Sequence, residues 1–181
     1  MKVDDGGGSG RSAIVTAKQR LATSAATLNQ RALVSVKDGQ TYTWTTSWSA
    51  DTGEDVIYIQ NTSKDKLLFI DKVTVNAVLT ALFELYVATG TAAGTALTGV
   101  NTNLTSNNVA AANAFGGAEV TGTTDGARID LARIPALGRA DMELQDVLIL
   151  GFNDAISLKY TGSTGIVDII VTGYFEITAD L

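Results

Sequence analysis

From Thr41 onward the chain carries side chains in a period of two, and this alternation restricts it to strands more than any other feature. Thr41-Tyr42-Thr43-Trp44-Thr45-Thr46-Ser47-Trp48 places Tyr42, Trp44 and Trp48 on one face and mostly Thr on the other, the pattern of a half-buried β-strand. Val56–Ile59 is a short apolar strand between the turns Asp51-Thr52-Gly53 and Asn61–Asp65,. Leu67–Val78 is the longest strand candidate, mixed in phase at its start and cleanly alternating afterwards. Ala81–Ala88 sets Phe83, Leu85 and Val87 against Glu84 and Tyr86. Shorter strands are expected at 109–120, 127–134 and 147–150, interrupted at Gly116-Gly117 and Thr123–Gly126 and ended by Pro135,. Ala155–Tyr160 and Ile166–Ile177 flank Thr161–Gly165, which predicts a hairpin,.

These signals predict an all-β body of about eight strands over residues 38–181, a jelly-roll-like β-sandwich, with another sandwich or a small barrel as alternatives. Composition agrees. Charged residues are only 18% of the chain, and Thr, Ser, Asn, Ala and Gly take their place, which suits strands joined by turns better than exposed helices. No repeat of fixed period is present, which argues against a propeller or β-helix. The polar stretch Thr89–Asn108 is long for a connection in a compact domain, and such loops are commonly functional,.

Residues 1–37 read differently. Met1–Asp5 and Gly6–Gly10 lack an apolar core and are expected to be a flexible leader rather than a secretory signal,. From Ser12 to Val34, Ile14, Leu21 and Leu28 recur every seven residues with Ala17, Ala25 and Ala32 near them. This weak helical stripe fits an arm, extended or partly helical, that orders against something else, or a short oligomerising helix. Residues 11–37 carry five basic side chains and no acidic one; residues 38–181 carry seven basic and seventeen acidic. A basic arm on an acidic body points to an acidic partner. Without interleaved aromatics, and with the body repelling phosphate, a protein is favoured over nucleic acid. The attachment residues expected on the arm are Ile14, Lys18, Arg20, Leu21, Leu28 and Arg31.

Chemistry is sparsely provided for. The chain has no Cys and no His, so thiolate metal sites, disulfides, His-ligated zinc and His-dependent triads are out of reach. No phosphate-loop or dinucleotide fingerprint occurs. Asp51, Glu54 and Asp55, like Asp141, Glu143 and Asp146, are expected to be solvated acidic stretches rather than Ca²⁺ sites or a glycosidase pair. The expectation is a non-enzyme with no cofactor, no metal and no membrane span, since no apolar run reaches the roughly 18–20 residues a span requires. Tyr42, Trp44 and Trp48 are expected in the core or a subunit interface, with a sugar-stacking platform as the alternative. That alternative would make the chain a carbohydrate- or receptor-binding module. The triplets Asn61-Thr62-Ser63 and Asn103-Leu104-Thr105 match the glycan-acceptor pattern only formally.

Asp55–Ser63 leading into Leu67–Val73, together with Ala155–Tyr160 and Val167–Glu176, resembles the small β-sandwich proteins of tailed-bacteriophage particles, the capsid decoration and head-fibre proteins. The resemblance implies a jelly-roll-like body and a homotrimer at three-fold positions of the virion surface. It also implies an N-terminal arm anchored to the major capsid protein or another virion protein. The expected function is therefore to decorate or cement a capsid.

Overall fold

The computed structural model describes residues 2–4, 12–14, 34, 35 and 38–177. It is an all-β protein of two facing antiparallel sheets, a β-sandwich. Eleven strands are described: β1 (Lys2–Asp4), β2 (Ser12–Ile14), β3 (Thr41–Ala50), β4 (Asp55–Asn61), β5 (Lys66–Ala77), β6 (Ala81–Ala93), β7 (Val100–Asn101), β8 (Ala112–Ile134), β9 (Gly138–Leu150), β10 (Ala155–Gly162) and β11 (Gly165–Ile177).

One sheet has the order β7-β3-β11-β5-β9. The other is a closed ring, β10-β4-β8-β6. It closes because β8 is long enough to pair twice. Its first half lies on β4 (Asn61↔Ala112 to Asp55↔Val120) and its second half on β6 (Ala93↔Thr121 to Ala81↔Ile134). Gly90 and Gly122 make the bend, both at positive φ (97° and 78°). A Cβ on Gly90 would stand 2.5 Å from the Gly122 carbonyl oxygen, and one on Gly122 2.3 Å from that of Thr91, so the two backbones touch where only glycine fits. The expected interruptions at 116–117 and 123–126 are therefore bends within one strand.

From β3 to β11 every connection passes from one sheet to the other. The expected hairpin at 161–165 is one such crossing. β10 pairs with β4 and β6, whereas β11 pairs with β3 and β5. The crossing is braced by Tyr160, whose hydroxyl donates to the Ser163 carbonyl at 2.5 Å.

The core fills the space between the sheets, with Trp44, Tyr42, Ile59, Leu68, Ile70, Phe83, Leu85, Leu158, Tyr160, Val167, Ile169, Val171 and Phe175 all fully buried. Each large apolar side chain buried there stabilises by about 1.5–3 kcal/mol. Tyr42 meets Phe175 edge-on at 5.7 Å and Phe83 meets Tyr160 at 5.4 Å, geometries that add to burial. A second small cluster (Tyr58, Ala88, Val120, Ala155, with Phe115) lies inside the ring, on the other face of β4 and β10. Both faces of these strands are thereby covered, and Ala155–Leu158 is buried without interruption.

β9 is an edge strand. The sequence suggested a strand only from Val147, but Ala140, Met142 and Leu144 point in while Arg139, Asp141 and Glu143 point out. Charges along an edge discourage pairing with another chain. Asp141 sits opposite Thr74 in register and accepts its hydroxyl at 2.6 Å, with Arg139 at 3.2 Å. These bonds, the Thr74 hydroxyl first, lower the Asp141 pKa below its ordinary 3.8,. A folded-state pKa below the unfolded one means stability present above pH 3.8 and lost as the pH falls through the folded value,. Asp141→Asn is accordingly expected to flatten the acid limb of a stability-versus-pH curve below about pH 4, measured by urea titration, and to leave its slope near neutrality unchanged.

Candidate functional site: the root of the N-terminal arm

Of the residues expected to attach the arm, only Ile14 is described. It lies in β2, paired antiparallel with Lys2 of β1, so at these two points the chain is extended. Lys18, Arg20, Leu21, Leu28 and Arg31 lie outside the described residues. What the structure does show is where the arm joins the body and how it is held there.

Val34 is buried against the outer face of the five-stranded sheet, over Leu67, Phe69 and Tyr174. The rings of Phe69 and Tyr174 stack in parallel, 4.9 Å apart. The chain then turns back at Gly39, whose N–H donates to the Val34 carbonyl at 3.0 Å, and Gln40 hands it to β3 by accepting from the Phe175 N–H at 2.9 Å. This junction sits at the Ile177–Lys66 end of the sheet, where Thr41 pairs with Tyr174.

A clasp closes over it, formed by the end of the polar stretch that the sequence marked as a functional loop. Asn103 Nδ2 donates to the Ser35 carbonyl at 2.6 Å and Asn108 Nδ2 to that of Asp38 at 2.9 Å. Asn101 Nδ2 and Ser106 Oγ donate to the Gly39 carbonyl at 2.8 and 3.1 Å. The Thr41 hydroxyl donates to that of Ser35 at 3.2 Å and shares a proton with that of Thr102 at 2.6 Å. The loop is shaped for this by its own side chains. Asn101 Oδ1 accepts from the Asn103 N–H at 2.9 Å, and Asn103 Oδ1 from the Thr105 N–H at 3.1 Å, the self-bonded turns that Asn favours. Four side-chain bonds at about 1 kcal/mol each offset the entropy of fixing roughly three residues. The amide nitrogen of Asn103, the atom a glycan would occupy, is committed to Ser35. The first part of the expected loop, Thr89–Ala93, is instead the end of β6.

Tyr42 and Trp44 have no exposed surface, and Trp48 packs partly buried against the same core. The enclosed ring faces of Tyr42 and Trp44 have nothing to offer a sugar. Asn101, the residue pairing with Tyr42 across β3 and β7, instead carries the clasp over the root.

At the opposite end of the sheet, where Ala50 pairs with Gly165, Val78, Leu79, Leu137 and Ile166 form an exposed apolar patch. The Val78 N–H donates to Ile166 and the Leu137 N–H to Val78, both at 3.1 Å. The body thus has two distinct poles, the arm root at one and the apolar patch at the other.

Of the acidic residues expected to be solvated, Asp51 is exposed and its N–H donates to the Glu54 carboxylate at 2.6 Å. Asp55 differs. It turns into the ring of β4, β6, β8 and β10 and is buried, one oxygen accepting from Thr123 Oγ1 at 2.5 Å and the other, Oδ1, without a partner. Beside it Asp125 takes the Ser157 hydroxyl at 3.0 Å and the Lys159 ammonium. Lys159 also lies 5.9 Å over the Tyr86 ring. Lys159 follows the buried run 155–158, and that run was the one available sign that the strand around it is enclosed. Among the described residues no cluster of metal-ligating side chains is found.

No family model matches the chain, and no curated protein or solved structure matches it.

Proposed function

We propose that this chain is a non-enzymatic virion structural protein that decorates or cements a phage capsid surface. It assembles as an oligomer, a trimer, and is held to the major capsid protein or another virion protein by its N-terminal arm, residues 1–37. The observation that carries the proposal is the clasp. A segment that serves only as a slack link has no use for four side-chain bonds to three backbone carbonyls, those of Ser35, Asp38 and Gly39. A segment through which a particle holds a body must pass force into the sheet, and Ser35 and Asp38–Gln40 are tied to β7, the loop after it and β11 at that point. Charge supports the same arrangement: the basic arm suits an acidic shell that the acidic body avoids,. The strand orders β3-β11-β5-β9 and β4-β10-β6-β8, with sheet-to-sheet crossings throughout, support a jelly-roll body, two interleaved Greek keys. The exposed apolar pole supports assembly, since such patches commonly mark contact surfaces,.

The test compares the full chain with one beginning at Gln40, by light scattering after size exclusion and by co-sedimentation with particles stripped of this protein. The shortened chain is expected to keep its solution mass as a trimer and to lose co-sedimentation. Retained co-sedimentation would remove the arm as the anchor. A fall to monomer would make residues 1–39 the oligomeriser, and two monomers would end the trimer proposal.

A further inference from the structure

We infer that Lys159 and Asp125 become joined by an isopeptide bond, formed by the chain on itself inside the small ring of strands, with Asp55 as the carboxyl that moves the protons.

Three adjacent strands bring these groups together. Lys159 is on β10, opposite Asp55 of β4 on one side and Glu84 of β6 on the other. The bend in β8 folds Asp125 over them. The Ser157 hydroxyl holds Asp125 Oδ1, and the Lys159 ammonium donates to Oδ2. Glu84 is taken by Arg128 and Asp55 by the Thr123 hydroxyl, and Asp125 is the carboxylate that the Lys159 ammonium meets. Had the three groups formed only an ion pair, Asp55 would be a costly neighbour: a second carboxyl, buried, with one oxygen unpartnered, next to a first,. Desolvation, and secondarily the Asp125 charge, raise the Asp55 pKa, opposed by the Thr123 hydrogen bond. Such an acid keeps its proton to higher pH and can give and take it again.

The step balances without any co-reactant. A proton passes from the Lys159 ammonium to the Asp125 carboxylate, giving a neutral amine and a neutral acid. The amine lone pair attacks the Asp125 carboxyl carbon. Asp55 accepts a proton from the nitrogen and delivers one to the departing hydroxyl, which leaves as water, and an amide joins β8 to β10. The Asp125 hydrogen bond raises the Lys159 pKa, so the neutral pair is the minority form and the reaction is a slow, single maturation of each chain. The hydrogen bond that holds amine and carboxyl side by side compensates for that low population,. Lys159 and Asp125 retain 31% and 19% of their side-chain exposure, which gives the water a way out.

Intact-mass spectrometry of the purified full chain, followed by peptide mapping, tests the inference. The expected chain is lighter by one water, with a branched peptide joining the Lys159 and Asp125 segments. Lys159→Arg and Asp55→Asn are both expected at full unmodified mass, with native circular dichroism. Asp125-Gly126 offers a competing loss of water, a backbone succinimide, which needs no lysine. A water loss that persists in Lys159→Arg, or that hydroxylamine cleaves at residue 125, overturns the inference. So does a folded wild-type chain of full mass after prolonged incubation. The branched peptide in the wild-type chain decides the matter even where a variant fails to fold.

Discussion

Trp44→Ala is expected to cost about 3–5 kcal/mol, a large part of the 5–15 kcal/mol that ordinarily separates folded from unfolded chains. Trp44 is fully buried between the sheets, 6.1 Å from the Tyr42 ring. Its indole rests on Gly99, where even a Cβ would come within 2.7 Å of Nε1. The backbone on that side cannot fill the space left by the ring, so most of the cavity stays open. A urea titration is expected to show a lowered midpoint with an unchanged slope. Trp44→Phe should cost less than half as much, because it also removes the indole N–H, which is buried without a partner,. A loss below about 1 kcal/mol for Trp44→Ala would contradict the packing described.

Gly39→Ala is expected to be the most damaging single change at the arm root, at about 2–4 kcal/mol. Two causes add. Gly39 has φ +60°, where a side chain strains the backbone, and its added Cβ would lie 2.5 Å from Ser106 Oγ and 2.6 Å from Ser106 Cβ,. The second cause can be relieved separately. Gly39→Ala combined with Ser106→Gly should recover the steric part and leave the backbone part, together with about 1 kcal/mol for the lost Ser106 hydroxyl bond,. Hydrogen exchange is expected to quicken at residues 38–41 and 101–108 in the single variant, with the strands of the core still protected. Loss of particle association in a body that remains folded would tie the clasp to anchoring; association unchanged after the clasp has opened would separate the two.

Alternation was enough to place most strands, because one face of β3, β5 and β6 meets the core and the other meets water or loops. Trp44 opposite Thr45, and Phe83 opposite Glu84, show it residue by residue. It said nothing about partners. Ala155–Tyr160 and Ile166–Ile177 carry every local mark of a hairpin, yet they enter different sheets, since pairing is decided by distant strands and not by the turn between. Glycines misled in a similar way. Gly116, Gly117 and Gly126 read as stops, but in a strand glycines also permit bends, and β8 bends at Gly117 and Gly122. β9 was partly legible: Ala140, Met142 and Leu144 alternate with Arg139, Asp141 and Glu143, but its acidic residues drew attention to charge instead of period. The length and polarity of the 89–108 stretch did signal a role. Its target did not show, because Asn103 reaches Ser35 across 68 residues of sequence. Asp55 was missed for the same reason: its neighbours in sequence, Asp51 and Glu54, are at the surface, while its neighbours in space come from β8 and β10.

The pairing of β3 with β11 sets a timetable for the newborn chain. The first strand of the body takes its central partner from the last thirteen described residues, with Tyr42 opposite Gly173. While the ribosome is still adding residues, β3 can find only β7 beside it, a two-residue strand, and from β3 to β11 no two consecutive described strands pair. Contacts so distant in sequence make folding slow, and they also make it all-or-none with respect to synthesis. A chain interrupted before β11 has no five-stranded sheet, no seat for Val34 and no place for the clasp to close. Only a chain that extends through β11 can therefore fasten the arm root at Val34, Ser35 and Asp38–Gln40.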